Sequence, residues 1–227
     1  TRKSRQKSGV PIVALVGYTN VGKSSLLNRL CGAEVPAADM LFATLDPTAR
    51  KLTLPSGLDV VVVDTVGFVS RLPHGLVEAF KSTLEEAAYA DVIVKVCDLS
   101  DPESSQQLAV TEQVLASLNC EDIPQFTVYN KCDRVSGAVP FDTSAICTSA
   151  ATGYGIEKLL ARLDEVLSDR VRHIAVLLPY DKLTLAALIR SQGTMLTEEY
   201  RSDGVYCEGF IKASQLHRFI SYFTDPS

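Results

Sequence analysis

The sequence has 227 residues, 46% of them hydrophobic and 22% charged, and a net charge of −5 at pH 7. With domains of roughly 100–200 residues, that length suits one medium domain and a small second one, each with an ordinary soluble core. The acidic balance argues against indiscriminate nucleic-acid binding through bulk charge.

Residues 1–9 open the chain as a leader, polar and carrying Arg2, Lys3, Arg5 and Lys7. It reads as a solvated segment, with a phosphate-contacting arm as the alternative. Val10 to Val16 is a continuous apolar run, the pattern of a strand buried on both faces in a parallel sheet. Next come Gly17, Tyr18, Thr19, Asn20, Val21, Gly22, Lys23 and Ser24. They match GxxxxGK[ST] between a strand and a helix, here Ser24 to Leu30, the context a phosphate-binding P-loop requires. Glycines let backbone N–H groups turn toward phosphate oxygens, and the helix N-terminus adds a partial positive charge. Lys23 can reach the β- and γ-phosphates, and the Ser24 hydroxyl can bind Mg²⁺.

Residues 33–48 contain Pro36 and Pro47 and read as a long functional loop. A Mg²⁺-binding threonine is expected from it; Thr44 and Thr48 both qualify by position, and spacing does not choose. Lys51 to Leu54 and Asp59 to Val63 read as strands joined by a turn at Pro55-Ser56-Gly57. Asp64-Thr65-Val66-Gly67 follows directly. Its carboxylate suits Mg²⁺, and the Gly67 N–H suits a γ-phosphate. Leu76 to Tyr89 reads as an amphipathic helix, Val92 to Cys97 as a buried strand, and a helix runs from Asp101-Pro102-Glu103 to about Leu118.

Gln125 to Tyr129 is a strand that leads into Asn130-Lys131-Cys132-Asp133, the NKxD pattern of guanine-specific GTPases. Asp133 would accept hydrogen bonds from guanine N1–H and its amine, a pair that adenine cannot offer. Asn130 can brace the P-loop, and Lys131 can lay its stem over the ring. Ala145 to Thr148 reads as a short strand, and Thr148-Ser149-Ala150 fits the loop that contacts the guanine oxygen. Ile156 to Leu167 is a helix. The alternation gives a doubly wound, mainly parallel α/β sheet of the P-loop, Ras-like GTPase class over residues 10–170, its motifs at strand carboxyl ends. The expected ligands are GTP, GDP and Mg²⁺.

Residues 171–227 read as a separate small α+β domain of order β-α-β-β-α. Its parts are a strand from Val171 to Leu178, a helix from Leu183 to Ser191, a hairpin of Met195 to Arg201 with Val205 to Ile211 around Ser202-Asp203-Gly204, and a final helix from Ser214 to Phe223. Cys31, Cys97, Cys120, Cys132, Cys147 and Cys207 lack zinc-site spacing and read as reduced thiols. No apolar run reaches the ~18 residues of a membrane span, so no membrane partner is expected.

Leu41-Phe42-Ala43-Thr44-Leu45-Asp46-Pro47-Thr48, Asp64-Thr65-Val66-Gly67-Phe68, and Leu72 to Phe80 followed by Thr83-Leu84-Glu85-Glu86 resemble the HflX family of translational GTPases. Gly17-Tyr18-Thr19-Asn20 agrees with it, and Leu178-Pro179-Tyr180 with the Asp203-Gly204 hairpin is similar to that family's C-terminal domain. The resemblance implies Thr44 as the magnesium ligand, alongside Ser24 and Asp64. It implies nucleotide contacts from the first switch at Phe42, Ala43, Thr44, Leu45 and Asp46. It also implies binding to the large ribosomal subunit and, in several members, separation of stalled ribosomes. The family's N-terminal domain is expected to be missing, the leader resembling the end of its linker. A monomer in the cytoplasm, or in an organellar matrix, is expected.

Lys23, Thr44 and Gly67 carry the catalytic expectation, as charge-neutralising and orienting groups. Phe68 stands where many GTPases have a water-orienting Gln, so slow intrinsic turnover is expected. Asn20 raises K⁺ as a second cation; a merely structural brace is the alternative. His74 is weighed as a base and set aside as a loop residue. A nucleotide-gated docking switch with negligible hydrolysis is the competing function; a P-loop kinase is disfavoured by Asn130 to Asp133.

Overall fold

The computed structural model of the protein describes residues 10–32, 49–65, 87–135, 145–168 and 170–224. These fall into two compact units. One holds the described residues of 12–52 and 61–163; the other holds those of 53–60 and 164–224, with 10–11.

Most of a six-stranded sheet lies in the first unit. Its strands are β1 (Ile12–Val16), β2 (Ala49–Thr53), β3 (Asp59–Asp64), β4 (Val92–Asp98), β5 (Gln125–Asn130) and β6 (Ile146–Cys147), in spatial order β2-β3-β1-β4-β5-β6. β1 pairs in parallel with β3 and β4, and β5 pairs in parallel with β4 and β6. All five residues of β1 and the run Val60 to Val63 are buried, which is why these strands read as unbroken apolar runs. Three helices belong to this part of the chain: α1 (Lys23–Leu30), α2 (Ser104–Ser117) and α3 (Ile156–Ser168). Leu159, Leu163 and Leu167 recur at four-residue steps along α3 and are all buried.

Register decides where the polar ends emerge. Leu15 pairs with Asp64, and Asp98 pairs with Asn130. The carboxyl ends of β3, β4 and β5 therefore deliver Asp64, Asp98 and Asn130 to one edge of the sheet, the edge where open α/β folds bind ligands. β5 also alternates, with Phe126, Val128 and Asn130 buried. The period of two that hides its apolar residues turns Asn130 inward.

The turn after β2 is closed by Leu54 N–H donating to Leu58 O at 2.8 Å and Gly57 N–H donating to Leu54 O at 2.9 Å. In the second unit, β7 (Val171–Leu178), β8 (Thr194–Arg201) and β9 (Gly204–Lys212) form an antiparallel sheet in the order β7-β9-β8. Ile174, Val176, Leu178, Val205 and Cys207 share its buried core with Ala186 and Ile189 of α4 (Leu183–Gln192) and with Phe219.

The expected final helix is not an α-helix. Ala213–Arg218 and Ile220–Tyr222 are 3₁₀ segments. Phe219 N–H bonds Leu216 O and Tyr222 N–H bonds Phe219 O, both at 2.9 Å. Leu216, Phe219 and Tyr222 pack on the core at three-residue spacing, the period of a 3₁₀ helix rather than of an α-helix. Of the helix expected over Leu76 to Tyr89, only Ala87–Tyr89 is described, as a 3₁₀ turn; the rest lies outside the described residues. Among the described residues, no helix is long and apolar enough to cross a membrane.

Candidate functional site

The loop after β1 turns at Gly17 and enters α1 through Gly22, whose φ of +95° puts it in the left-handed region. A Cβ at Gly22 would lie 2.4 Å from Asn130 Nδ2, so only a glycine fits between the loop and that side chain. Asn20 also sits at positive φ, +64°. The first amides of α1 have no partner within the helix, and no acidic side chain occupies its first turn, so its N-terminus offers donors to an anion.

Lys23 opens α1 and is only 6% exposed. Its Nζ donates to the carbonyls of Gly17 (3.1 Å) and Tyr18 (2.9 Å), inside the curve of the loop. Burial lowers its pKa, and the Asp64 carboxylate partly offsets that. Ser24, one residue on, donates its hydroxyl to Asp64 Oδ2. Asp64 Oδ1 is buried and has no hydrogen-bond partner among the described residues. A hydroxyl beside a carboxylate with a spare buried oxygen is the hard-oxygen donor set that Mg²⁺ prefers, so Ser24 and Asp64 fit that ion. Thr65 holds the end of β3 against β1, its N–H and Oγ1 both donating to Leu15 O at 3.2 and 2.7 Å.

Asn130 is 1% exposed and joins three segments. Its Nδ2 donates to Val21 O at 3.0 Å, and its Oδ1 accepts from Ala150 N–H at 3.0 Å and Thr148 Oγ1 at 3.4 Å. Lys131 follows at φ +62°, and its Nζ reaches Asn20 O at 2.6 Å. Cys132 N–H donates to Thr148 O at 3.1 Å, fixing the turn of Cys132–Arg134 that presents Asp133 at the surface. Burial, with Asp133 nearby, raises the Cys132 thiol pKa. Ser149 is fully buried; its N–H donates to Tyr154 O at 3.0 Å, and its Oγ accepts from Thr152 N–H at 3.1 Å. The structure thus brings together residues 17–24, Asp64, Thr65, 130–133 and 148–150. Phe42, Ala43, Thr44, Leu45, Asp46, Thr48, Val66, Gly67, Phe68, His74 and the leader 1–9 lie outside the described residues.

Sequence reasoning passed over Asp98. This last residue of β4 accepts from Lys131 Nζ at 2.6 Å. Burial alone would raise its pKa, but hydrogen bonds from Lys131 and Ser100 outweigh it and hold the carboxyl below its ordinary value. Its position at the carboxyl end of a buried strand, beside the other site residues, was the available signal.

Residues 12–131 match the family described as "50S ribosome-binding GTPase", and residues 136–208 match the HflX C-terminal domain. The chain is 43% identical over 204 residues to the GTPase HflX of Caldanaerobacter subterraneus subsp. tengcongensis, covering 90% of this chain and 48% of that one. It is 44% identical over 214 residues to the GTPase HflX of Lacrimispora saccharolytica, covering 92% and 51%. It therefore spans about half the length of these curated relatives. Among solved structures, a GTP-binding protein from the archaeon Sulfolobus solfataricus in complex with GDP is similar, with TM-score 0.57 and 25% identity over 69% of this chain and 52% of that one. A match to the ribosome-binding GTPase family over more than half of the chain, a match to the HflX C-terminal domain after it, and relatives 43% and 44% identical over 90% and 92% of it give one answer: the chain belongs to the HflX family of GTPases.

Proposed function

We propose that this chain binds GTP and GDP at the carboxyl edge of its parallel sheet and hydrolyses GTP to GDP and phosphate, with the large ribosomal subunit controlling turnover. The carrying observation is Asn130, which joins the phosphate loop to the segment at 148–150 and so ties phosphate grip to base recognition. The GDP complex of the similar archaeal protein and the ribosome-binding description of the family support the same reading.

In this proposal the amides of residues 17–24 and the Lys23 ammonium hold the β- and γ-phosphate oxygens, where charge builds during transfer. Ser24, Asp64 and, on the family resemblance, Thr44 would hold Mg²⁺, which would supply neutralising charge when bound. The Gly67 N–H holds the γ-phosphate. Asp133 selects guanine, Lys131 covers the ring, and Ala150 faces the guanine oxygen. Thr44 and Gly67 would link the nucleotide to the two switch segments.

Phe68 cannot hydrogen-bond a water, so intrinsic turnover is slow and a partner accelerates it. The GTPase domain spans 10–170 and the C-terminal domain 171–227, and the chain acts as a monomer in the cytoplasm or an organellar matrix. It extends to separation or rescue of stalled ribosomes. Phosphate release is measured with and without purified large subunits, in KCl and in NaCl. Stimulation by subunits is expected; none would leave the competing reading, a docking switch that barely hydrolyses. Equal rates in the two salts would remove K⁺ from the Asn20 position.

A further inference from the structure

We infer that Asp98 is a positioning residue of the nucleotide site, fixing the Lys131 ammonium across the phosphate loop and so slowing nucleotide release. This rests on the guanine-nucleotide reading proposed above.

The anchor is rigid on the Asp98 side. β4 is buried through Val96 and Cys97, and Leu99 N–H donates to Asn130 O at 2.9 Å, so the ends of β4 and β5 are tied by backbone. Asp98 Oδ1 accepts twice from one residue, from Ser100 N–H at 2.9 Å and Ser100 Oγ at 2.6 Å. That leaves Oδ2 aimed at Lys131 Nζ, at 2.6 Å. The two side chains are 21% and 13% exposed, so this pair is less screened than an ordinary surface ion pair.

The far side is the loop. The same Nζ donates to Asn20 O at 2.6 Å. Asn20 and Lys131 both adopt left-handed backbone, at φ +64° and +62°; asparagine visits that region readily, but for a lysine it is uncommon and marks a position held by its surroundings. Lys131 Cε lies 3.9 Å from the position a Gly22 Cβ would take, so the extended stem lies along the loop. An ammonium has three donors. One here grips the loop at Asn20 and another the end of β4, which pins the apolar stem beside residues 130–133. Without the Asp98 charge, the ammonium keeps only a neutral carbonyl, and the long side chain regains its rotamers. Asp98 acts through Lys131 and touches no nucleotide atom.

Stopped-flow release of a fluorescent GDP analogue from the full chain tests this. The proteins are wild type, Asp98→Asn, Lys131→Gln, the double variant, and Ser100→Ala, which removes one of Asp98's donors. Asp98→Asn should release the analogue about tenfold faster, as loss of a charged hydrogen bond implies. The double variant should be no faster than Lys131→Gln, because both changes break one link. Single-turnover hydrolysis of bound GTP by Asp98→Asn is read beside release; a hydrolysis rate that falls by more than release rises would place Asp98 in the chemical step and overturn the positioning role. Ser100→Ala should release about two- to threefold faster, and it keeps the test alive should Asp98→Asn misfold. Wild-type release from Asp98→Asn, multiplying effects in the double variant, or an unchanged Ser100→Ala where the Asn variant does not fold would each overturn the inference. A wild-type chain that never retains the analogue takes down the nucleotide reading as well; slow wild-type release with an unchanged Asp98→Asn takes down only the role of Asp98.

Discussion

Replacing Asn130 by Ala should weaken GDP binding far more than it weakens the fold. The side chain is buried, and its amide answers two backbone groups from different segments, Val21 C=O and Ala150 N–H, each at 3.0 Å. Alanine leaves both without that partner. A buried group so orphaned costs about 1–3 kcal/mol; the two loops relax to avoid that cost in the free protein and must be brought back together when nucleotide binds, so roughly 2–4 kcal/mol falls on binding rather than on the sheet. In affinity that is roughly 30- to 1,000-fold. Neighbouring Phe126 and Val128 stay buried, so the sheet should hold. Thr148→Val is the internal contrast, because its hydroxyl bond to Asn130 is long, 3.4 Å, and should cost less than about threefold. Isothermal titration with GDP, beside thermal unfolding of the same proteins, reads both quantities. An Asn130→Ala protein that binds GDP within threefold of wild type would refute the bridge, as would one whose binding loss is matched by collapse of the whole fold.

Gly155 sits at φ +73°, and a Cβ there would lie 2.0 Å from Cys147 O, so Gly155→Ala should cost on the order of 2 kcal/mol and lower the melting midpoint by roughly 4–8 °C. Asp98 has a folded pKa below its ordinary value, so the unfolded chain takes up its proton first on acidification. Its contribution is complete above the ordinary aspartate range and is lost as pH falls through the folded value; denaturation curves from about pH 7 to about pH 3 should therefore be flatter in that window for Asp98→Asn. Burial pushes the Cys97 thiol up to about 11, leaving roughly one thiolate in a thousand at pH 8. Cys31, Cys132 and Cys147 are half-exposed, whereas Cys97, Cys120 and Cys207 are buried. Timed alkylation with mass spectrometry should find the first three labelled well before the others, and early labelling of Cys97 would contradict its burial.

The placement of the candidate site was legible because its geometry is local. Gly17 to Ser24 must turn between a strand and a helix whatever lies around them, and the apolar runs at Ile12–Val16 and Val60 to Val63 announce strands covered on both faces. What lay hidden depends on register and tertiary fit. Nothing in the order Val-Cys-Asp-Leu-Ser says that Asp98 aligns with Asn130 across two strands far apart in sequence. The C-terminal segment misled for a related reason. Leu216, Phe219, Ile220 and Phe223 suit an α-helical stripe, yet Phe223 bridges to Val176, and Thr224 N–H bonds Ala175 O at 3.1 Å. That tie to β7 draws the chain out, and the tighter 3₁₀ turns bury Phe219 while Ile220 and Phe223 stay exposed. The HflX resemblance rested on motifs spread along the chain, several in segments outside the described residues. The family matches over 12–131 and 136–208 bear out the resemblance itself.

The most direct test of the central claim is one competition titration in Mg²⁺ against GDP, ADP or xanthosine diphosphate, with a fluorescent GDP analogue on wild type and a fluorescent xanthosine diphosphate analogue on Asp133→Asn. Wild type should release the probe to GDP and hold it against ADP. The variant should come to favour xanthosine over guanosine, since its amide oxygen can still accept from N1–H while its NH₂ faces the guanine amine donor to donor but can donate to the oxygen that xanthine carries there. Equal displacement of the wild-type probe by ADP and GDP would contradict the account.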